Sequence, residues 1–155
     1  LEELPQLARG REAAGPLRVG AISTALVGVL PAAMRLVAGR HPGVELKVTP
    51  GTAGHLYRLL EAGELDCVLV PRPPFALPKS LLWRPVREEP LVLLAPPTLA
   101  GAEVPALLRA APLIRMDRAS WAGRLMTAFL EDHRLAPAEL FEMDAPEAIV
   151  ILVAQ

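Results

Sequence analysis

The chain has 155 residues, a formal net charge of −1 and 52% hydrophobic residues, so it is long enough for a buried core and lacks the positive charge that grips nucleic acid. Its longest unbroken apolar stretch, residues 25–34, is too short to cross a bilayer. The amino terminus has neither the basic start nor the apolar core of a signal peptide, and the single cysteine excludes an internal disulfide. We therefore expect a globular cytoplasmic protein without a membrane partner.

The first half of the chain alternates short apolar runs with helix-period runs. Leu17–Ile22 has strand character, Ser23 and Thr24 are helix-starting residues, and an apolar helical run follows to Gly39. Turn residues separate the next predicted elements, which are strand Val44–Thr49, helix Leu56–Glu61 and strand Leu65–Val70. Strands that alternate with helices across short turns predict βαβ units and a parallel sheet.

The second half repeats this alternation after a loop, residues 71–78, that is too rich in proline for a helix or a central strand. Residues 82–86 predict an edge strand broken by Pro85. Leu91–Ala95 is apolar on both faces and predicts a central strand that crosses between two halves. The remaining predicted elements are helix Val104–Arg109, strand Pro112–Met116, helix Trp121–Leu135 after Ser120, strand Leu140–Met143 and a helix from Pro146.

Ligand chemistry is expected where strands end and helices begin, because unpaired backbone N–H groups point outward there and the helix dipole favours an anion. Three places fit this description: Ser23 and Thr24 after the first strand, Gly51 and Thr52 after the second, and residues 115–120 after the strand of the second half. Each Ser or Thr has the alternative of a simple helix cap. Arg115 has the alternative of a surface salt bridge with Asp117.

The sequence contains no recognisable catalytic, cofactor or metal constellation. The three histidines, His41, His55 and His133, have no second His, Cys or carboxylate at ligand spacing, and no serine lies in a Gly-x-Ser-x-Gly elbow. The P-loop and dinucleotide-binding glycine patterns are also missing. Cys67 lies in an apolar strand run and is expected to be a buried, inert thiol. These observations disfavour an enzyme and predict no cofactor.

Several segments follow one another in the order and approximate spacing of a LysR-type transcriptional regulator. They are Gly15–Gly20, the Leu30-Pro31 pair, His41–Leu46, Glu61–Asp66, Glu88–Leu94 and Glu142–Ile149. Together they resemble the effector-binding domain of that family over about residues 15–155. The resemblance implies an α/β, two-lobed, periplasmic-binding-protein-like (type II) fold with parallel-type sheets joined by crossover strands.

The resemblance also implies a domain organisation. Residues 1–14 would be the end of a linker helix, residues 15–90 effector-binding sub-domain I, and residues 91–155 the crossover strand and sub-domain II. The sequence stops inside its predicted last helix, so we expect a C-terminally incomplete domain. DNA would be bound only through an N-terminal winged helix-turn-helix domain that is absent from this sequence.

The function implied by the resemblance is the binding of a small-molecule effector, with a carboxylate among the candidates. By position, effector-binding roles fall to Ser23, Thr24, Thr52, Val70, Arg72 and Arg115. The leading hypothesis is a regulatory domain that controls the DNA-binding domain. The alternative is a solute-binding protein of a transport system with the same fold.

A partner subunit is expected to cover the first helical run. Between Ala25 and Ala38 the only charged residue is Arg35, whereas a helix with one buried face should show a polar opposite face. The resemblance implies side-by-side dimers, so the sequence predicts a homodimer or tetramer whose interface includes Val27, Leu30 and Met34. The alternative is a central helix that is buried within one chain.

Overall fold

The computed structural model describes residues 14–154, so the predicted end of a linker helix lies, apart from Ala14, outside the described residues. The chain divides into two compact units, the first ending at Val70 and the second beginning at Pro71. The sequence places the corresponding boundary between residues 90 and 91, and that boundary stays a prediction. Each unit contains its own parallel sheet.

The first unit alternates strands with helices, as the sequence predicts. Its elements are β1 (Gly15–Ala21), α1 (Ser23–Val27), α2 (Leu30–Arg40), β2 (Val44–Pro50), α3 (Ala53–Glu61) and β3 (Cys67–Leu69). The sheet has the order β2-β1-β3, and β1 pairs in parallel with both neighbours. This topology confirms the βαβ units.

The core of the first unit lies against β1. Val19, Ala21 and Leu30 are buried together, and Leu17, Ala25, Leu26, Leu46, Val48 and Leu69 pack against them. Leu56 of α3 is fully buried. A Cβ atom at Gly20 would lie 2.9 Å from Cδ2 of Leu56, so the close approach of α3 to β1 depends on the glycine.

The run from Ser23 to Gly39, predicted as one helix, forms two. The first ends at Val27 and the second begins at Leu30, with Pro31 in its first turn. Because proline has no N–H, a continuous helix would lose the hydrogen bond from residue 31 to the carbonyl of Val27. Proline is tolerated in a first turn, so the chain starts a new helix there.

The start of β3 is fixed to β1 by an ion pair. Arg18 donates from Nη2 to Oδ1 of Asp66 at 2.7 Å, and its backbone N–H donates to Oδ2 at 2.7 Å. The next residue, Cys67, is exposed, so the expectation of a buried thiol is wrong. Cys67 is the first residue of an edge strand, where an apolar sequence pattern does not ensure cover on both sides.

The second unit has a two-stranded parallel sheet. Its elements are a 3₁₀ turn (Pro97–Leu99), α4 (Val104–Ala110), β4 (Leu113–Met116), α5 (Trp121–Asp132), β5 (Glu139–Met143) and α6 (Pro146–Ala154). Its core contains Leu108, Leu113 and Leu130. None of the helices within residues 14–154 is long and apolar enough to span a membrane.

Two predicted strands are wrong. Residues 82–86 and Leu91–Ala95 belong to neither sheet of the described chain. Val92 is 66% exposed, and prolines at positions 90 and 96 flank the second segment. A strand exists only when a neighbour pairs with its N–H and C=O groups, and apolar composition does not identify that neighbour.

Helix α5 ends three residues earlier than the sequence predicts. Its last residue is Asp132, and His133 follows as the cap. Arg134 then has a φ of 51°, in the left-handed region that ends a helix.

Candidate functional site

The parallel register of the first sheet brings three strand ends together. Ala21 at the end of β1 is opposite Pro50 of β2 and Leu69 of β3. The backbone continues this pairing beyond the strands, since Gly51 N–H donates to the Ala21 carbonyl at 3.3 Å and Ile22 N–H to the Leu69 carbonyl at 3.2 Å. Ser23, Thr24, Gly51, Thr52 and Val70 therefore lie at one edge of the sheet, which we call the hydroxyl edge.

The hydroxyl groups of Ser23 and Thr24 do not cap a helix. The cap of α1 is Ile22, without a side-chain hydrogen bond, and both residues are half-buried in the first turn. Within the described part of the chain, neither hydroxyl has a hydrogen-bond partner. The cap alternative therefore fails for these two residues, and their hydroxyl groups are available to a ligand.

Thr52 is a helix cap. Its Oγ1 accepts from the backbone N–H of His55 at 3.4 Å, and its side chain is exposed. Beside it, a Cβ atom at Gly51 would lie 3.1 Å from Cδ2 of Leu56 and 3.2 Å from Cδ2 of His55. A side chain at position 51 would crowd this edge, whereas glycine leaves the backbone accessible. Val70 is half-buried where β3 ends.

Arg115 has its guanidinium inside the second unit. The residue is 2% exposed, and its Nη1 donates to Oε1 of Glu139 at 2.9 Å while Nη2 donates to Oγ1 of Thr127 at 2.6 Å. Asp117, the salt-bridge partner considered from sequence, instead accepts from the backbone N–H of Ala119 at 2.7 Å. The effector-binding role of Arg115 stays a prediction, and its polar groups are occupied by protein.

Sequence reasoning missed a group of ionic residues around Arg115. Arg118 donates from its guanidinium to Glu139 and Glu142, and its backbone N–H donates to Oε1 of Glu142 at 2.8 Å. We call Arg115, Arg118, Glu139 and Glu142 the ionic cluster. The two arginines are more than twenty residues from the two glutamates along the chain, so no local motif reveals the cluster.

The ionic cluster changes the titration of Glu139. Hydrogen bonds from Arg115, and then from Arg118, hold the pKa of the Glu139 carboxyl below its usual range. Nearby, burial raises the pKa of Asp144, and the charge of Asp117 raises it further. The carboxyl ends of β4 and β5 therefore carry charged groups of both signs.

The four remaining predicted positions are Arg72 and the three predicted interface residues. Arg72 lies in the second unit, with its guanidinium carbon 5.7 Å from the centre of the Trp83 ring, and stays a predicted wall residue. On α1 and α2, Val27 is 73% exposed and Met34 is 38% exposed, whereas Leu30 is buried in the core of its own unit. Only the first two of these side chains are on a surface that a partner could cover.

The chain belongs to the LysR substrate binding domain family, whose model matches residues 10–155. It is 32% identical over 152 residues to the HTH-type transcriptional regulator TtuA of Agrobacterium vitis, an alignment that covers 94% of this chain. The chain spans 50% of the length of TtuA.

Solved structures share the fold. The C-terminal domain of a probable LysR family transcriptional regulator from Rhodococcus superposes with a TM-score of 0.71 at 21% identity, over 91% of this chain and 70% of that one. The effector-binding domain of QuiR in complex with shikimate gives a TM-score of 0.67 at 17% identity, over 91% of this chain and 69% of that one.

These comparisons confirm the family and the α/β, two-lobed, periplasmic-binding-protein-like type II fold predicted from sequence. They also favour a regulatory domain over a solute-binding protein of a transport system.

Proposed function

We propose that this chain is the effector-binding part of a LysR-type transcriptional regulator and that it binds a small carboxylate. The observation that carries the proposal is the hydroxyl edge, where the register of β1, β2 and β3 places Ser23, Thr24 and Thr52 side by side. Family membership supports the regulatory role, and the shikimate bound by QuiR supports the chemical class, because shikimate is a carboxylate.

The hydroxyl edge offers enough hydrogen-bond donors to bind a carboxylate without the help of an arginine side chain. Ser23 and Thr24 offer hydroxyl donors, and the first turn of α3 after Thr52 presents backbone N–H groups that a helix cannot pair internally. A helix N-terminus favours an anion by about 0.3–1 kcal/mol, and a hydrogen bond to a charged group contributes about 1.5–3 kcal/mol. Such contacts supply part of the roughly 8 kcal/mol that micromolar binding requires in total.

Thermal denaturation with a panel of small carboxylates tests the proposal. A ligand that binds only the folded state raises the melting temperature by mass action. The double variant Ser23→Ala, Thr24→Val should lose this rise yet keep the melting temperature of the free chain, because neither hydroxyl has an intramolecular partner in the described residues. If the ligand raises the melting temperature of the double variant equally, the hydroxyl edge is not part of the binding site.

We further propose that the protein is a homodimer in which a second subunit covers the exposed side of α1 and α2. Val27, Met34 and Leu36 are large apolar side chains that are 73%, 38% and 56% exposed, and a partner subunit would remove this apolar area from water. Val27→Glu should dissociate the dimer in sedimentation experiments. Val86→Glu changes a residue of similar exposure, 69%, in the other unit and should leave the dimer intact. Identical sedimentation of the two variants would contradict this interface.

The DNA-binding role is proposed for the full-length protein, acting in the cytoplasm through an N-terminal winged helix-turn-helix domain. The description of TtuA as an HTH-type regulator supports this proposal. Effector binding would then shift the equilibrium between two arrangements of the full-length protein. The size of the shift equals the difference in effector affinity between those arrangements. A gel-shift experiment with the full-length protein, with and without the stabilising carboxylate, tests whether the ligand changes DNA affinity.

A further inference from the structure

The second unit contains an apolar cavity of about 560 Å³. Its walls are formed by residues 91–99, helix α4 with the two residues that follow it, strand β4 and helix α6, and Met126 of α5 completes them. Voids larger than a water molecule are few in close-packed protein cores, so a space of this size is not an ordinary packing defect. All of the residues that line the cavity belong to the second unit.

The floor of the cavity is part of the core of this unit. Leu108 of α4 and Leu113 of β4 line it and are 7% and 5% exposed, and the half-buried Met126 packs against them. Val92 and Val150 also line the cavity, but they are exposed and form its rim. A concave space with a buried apolar floor and an open rim is the typical shape of a pocket for a small molecule.

No charged side chain lines the cavity. Among the described residues that form its walls, Thr98 alone has a polar side chain. A charged ligand would lose its hydration in this cavity without gaining a counter-charge, so the lining favours a neutral molecule. In this respect the cavity differs from the hydroxyl edge of the first unit, whose donors suit a carboxylate.

One wall of the cavity nevertheless carries hydrogen-bonding groups. Leu91–Ala95 belongs to neither sheet, and within residues 14–154 its backbone N–H and C=O groups have no hydrogen-bond partner. The hydroxyl group of Thr98 also has no partner in the described chain. Small-molecule pockets typically combine an apolar lining with a few polar groups of this kind, which orient the ligand.

We propose that this cavity is a second ligand site, which takes a small, neutral and largely apolar molecule with one hydroxyl, carbonyl or amide group. The apolar body of the ligand lies on the floor, and its polar group bonds to the unpaired backbone of Leu91–Ala95 or to Thr98. Met116 and Met126 line the cavity with flexible side chains that adapt to the outline of a ligand. The site is independent of the proposed carboxylate site, which belongs to the first unit.

Two probes with the same ring system and different charge test the selectivity of the cavity. N-phenyl-1-naphthylamine is neutral, and 8-anilinonaphthalene-1-sulfonate is its anionic analogue. In calorimetric titrations we expect saturable binding of the neutral probe, and the sulfonate should displace it only at roughly tenfold higher concentration or more. The proposal is overturned if the neutral probe does not bind saturably, or if the sulfonate displaces it at an equal or lower concentration.

Neighbouring residues of α6 provide a matched pair of variants. Val150 lines the cavity and is 51% exposed, whereas Ile151 is 59% exposed and is not part of the lining. Val150→Glu should weaken binding of the neutral probe roughly tenfold or more, because it places a charge at the rim, and Ile151→Glu should bind the probe like the unmodified chain. Both positions are exposed, so both variants should keep the melting temperature of the unmodified chain.

Val92→Glu repeats the test on another wall, at a residue that is 66% exposed. It should also weaken binding of the neutral probe roughly tenfold or more, so the test does not depend on the folding of a single variant. If folded Val150→Glu and Val92→Glu both bind the probe as tightly as Ile151→Glu, the cavity is not the site. If the unmodified chain fails to bind the probe and these two variants sediment as smaller species, a second copy of the chain covers the cavity and the proposal is wrong.

Discussion

The carboxyl ends of the two sheets present different chemistry. In the first unit, strand ends in regular register carry Ser23, Thr24 and Thr52, and the first two have free hydroxyl groups within the described residues. In the second unit, a bulge gathers Arg118 and its glutamates, whose charges are already paired. The hydroxyl groups of the first edge are free to donate to a ligand. The donors of the second edge already make hydrogen bonds to glutamates of the same unit. We therefore propose that the first edge binds the ligand by hydrogen bonds.

Removing the support beneath the hydroxyl edge should have the largest effect. Leu56 is fully buried and lies close to both Gly20 and Gly51, so Leu56→Ala should lower the free energy of unfolding by about 2–5 kcal/mol through lost burial and a cavity. Urea denaturation measures this change. Leu125→Ala, at a helical site that is 57% exposed, should stay within about 0.5 kcal/mol; equal losses would contradict the assigned core.

In the second unit, helix α5 packs closely against the loop of residues 117–120 at Gly123. A Cβ atom there would lie 1.8 Å from the backbone oxygen of Asp117, which cannot move without shifting the loop. Gly123→Ala should destabilise the chain by about 1–3 kcal/mol. In Gly39→Ala no atom is within 4 Å of the new Cβ, and the helical alanine should add about 0.5–1 kcal/mol of stability. Calorimetric melting of both variants should show shifts of opposite sign.

Within the hydroxyl edge, the three hydroxyl residues should differ in their effect on stability. Thr52→Ala removes the cap of α3 and should cost about 1 kcal/mol, while Thr52→Ser should retain most of that contribution. Ser23→Ala removes no intramolecular bond of the described chain and should stay within about 0.5 kcal/mol. Chemical denaturation distinguishes the two cases, and an equal loss at both positions would show that Ser23 also has a structural role.

The smallest expected effect is a pH dependence at Asp66. Its side-chain and backbone hydrogen bonds with Arg18 lower the pKa of Asp66 to about 2, from 3.8. The unfolded chain therefore takes up this proton first, so the stabilisation is complete above pH 3.8 and is lost as pH falls towards 2. The difference in melting temperature between the unmodified chain and Asp66→Asn should shrink over this range. A difference that is constant from pH 5 to about 2 would contradict the assigned ion pair.

The hydroxyl edge was accessible to sequence reasoning because it depends on local signals. Each strand is a short apolar run, each following helix begins near a Ser, Thr or Gly, and parallel pairing then brings the strand ends together. What the sequence could not distinguish is a free hydroxyl from a cap. Ile22 occupies the cap of α1, whereas Thr52 caps α3, although all three hydroxyl residues look alike in the sequence.

The ionic cluster could not be predicted from the sequence, because it depends on a bulge in β5 at Leu140. Residues three apart along a regular strand lie on opposite faces, but the register shift leaves Leu140 without a partner and brings Glu139 and Glu142 to one face. Long-range pairing also explains the wrong strand at Leu91–Ala95. The segment is apolar, but a strand is defined by a paired neighbour that local sequence does not reveal.

The most direct test of the central claim is to map the ligand onto the chain by amide chemical shifts. Titration with the carboxylate that most stabilises the chain should shift the amides of residues 22–24 and 51–54 in a saturable way, and the double variant Ser23→Ala, Thr24→Val should lose the response at 22–24. Saturable shifts confined to other parts of the chain, with residues 22–24 and 51–54 unmoved, would contradict the claim that the hydroxyl edge binds the effector.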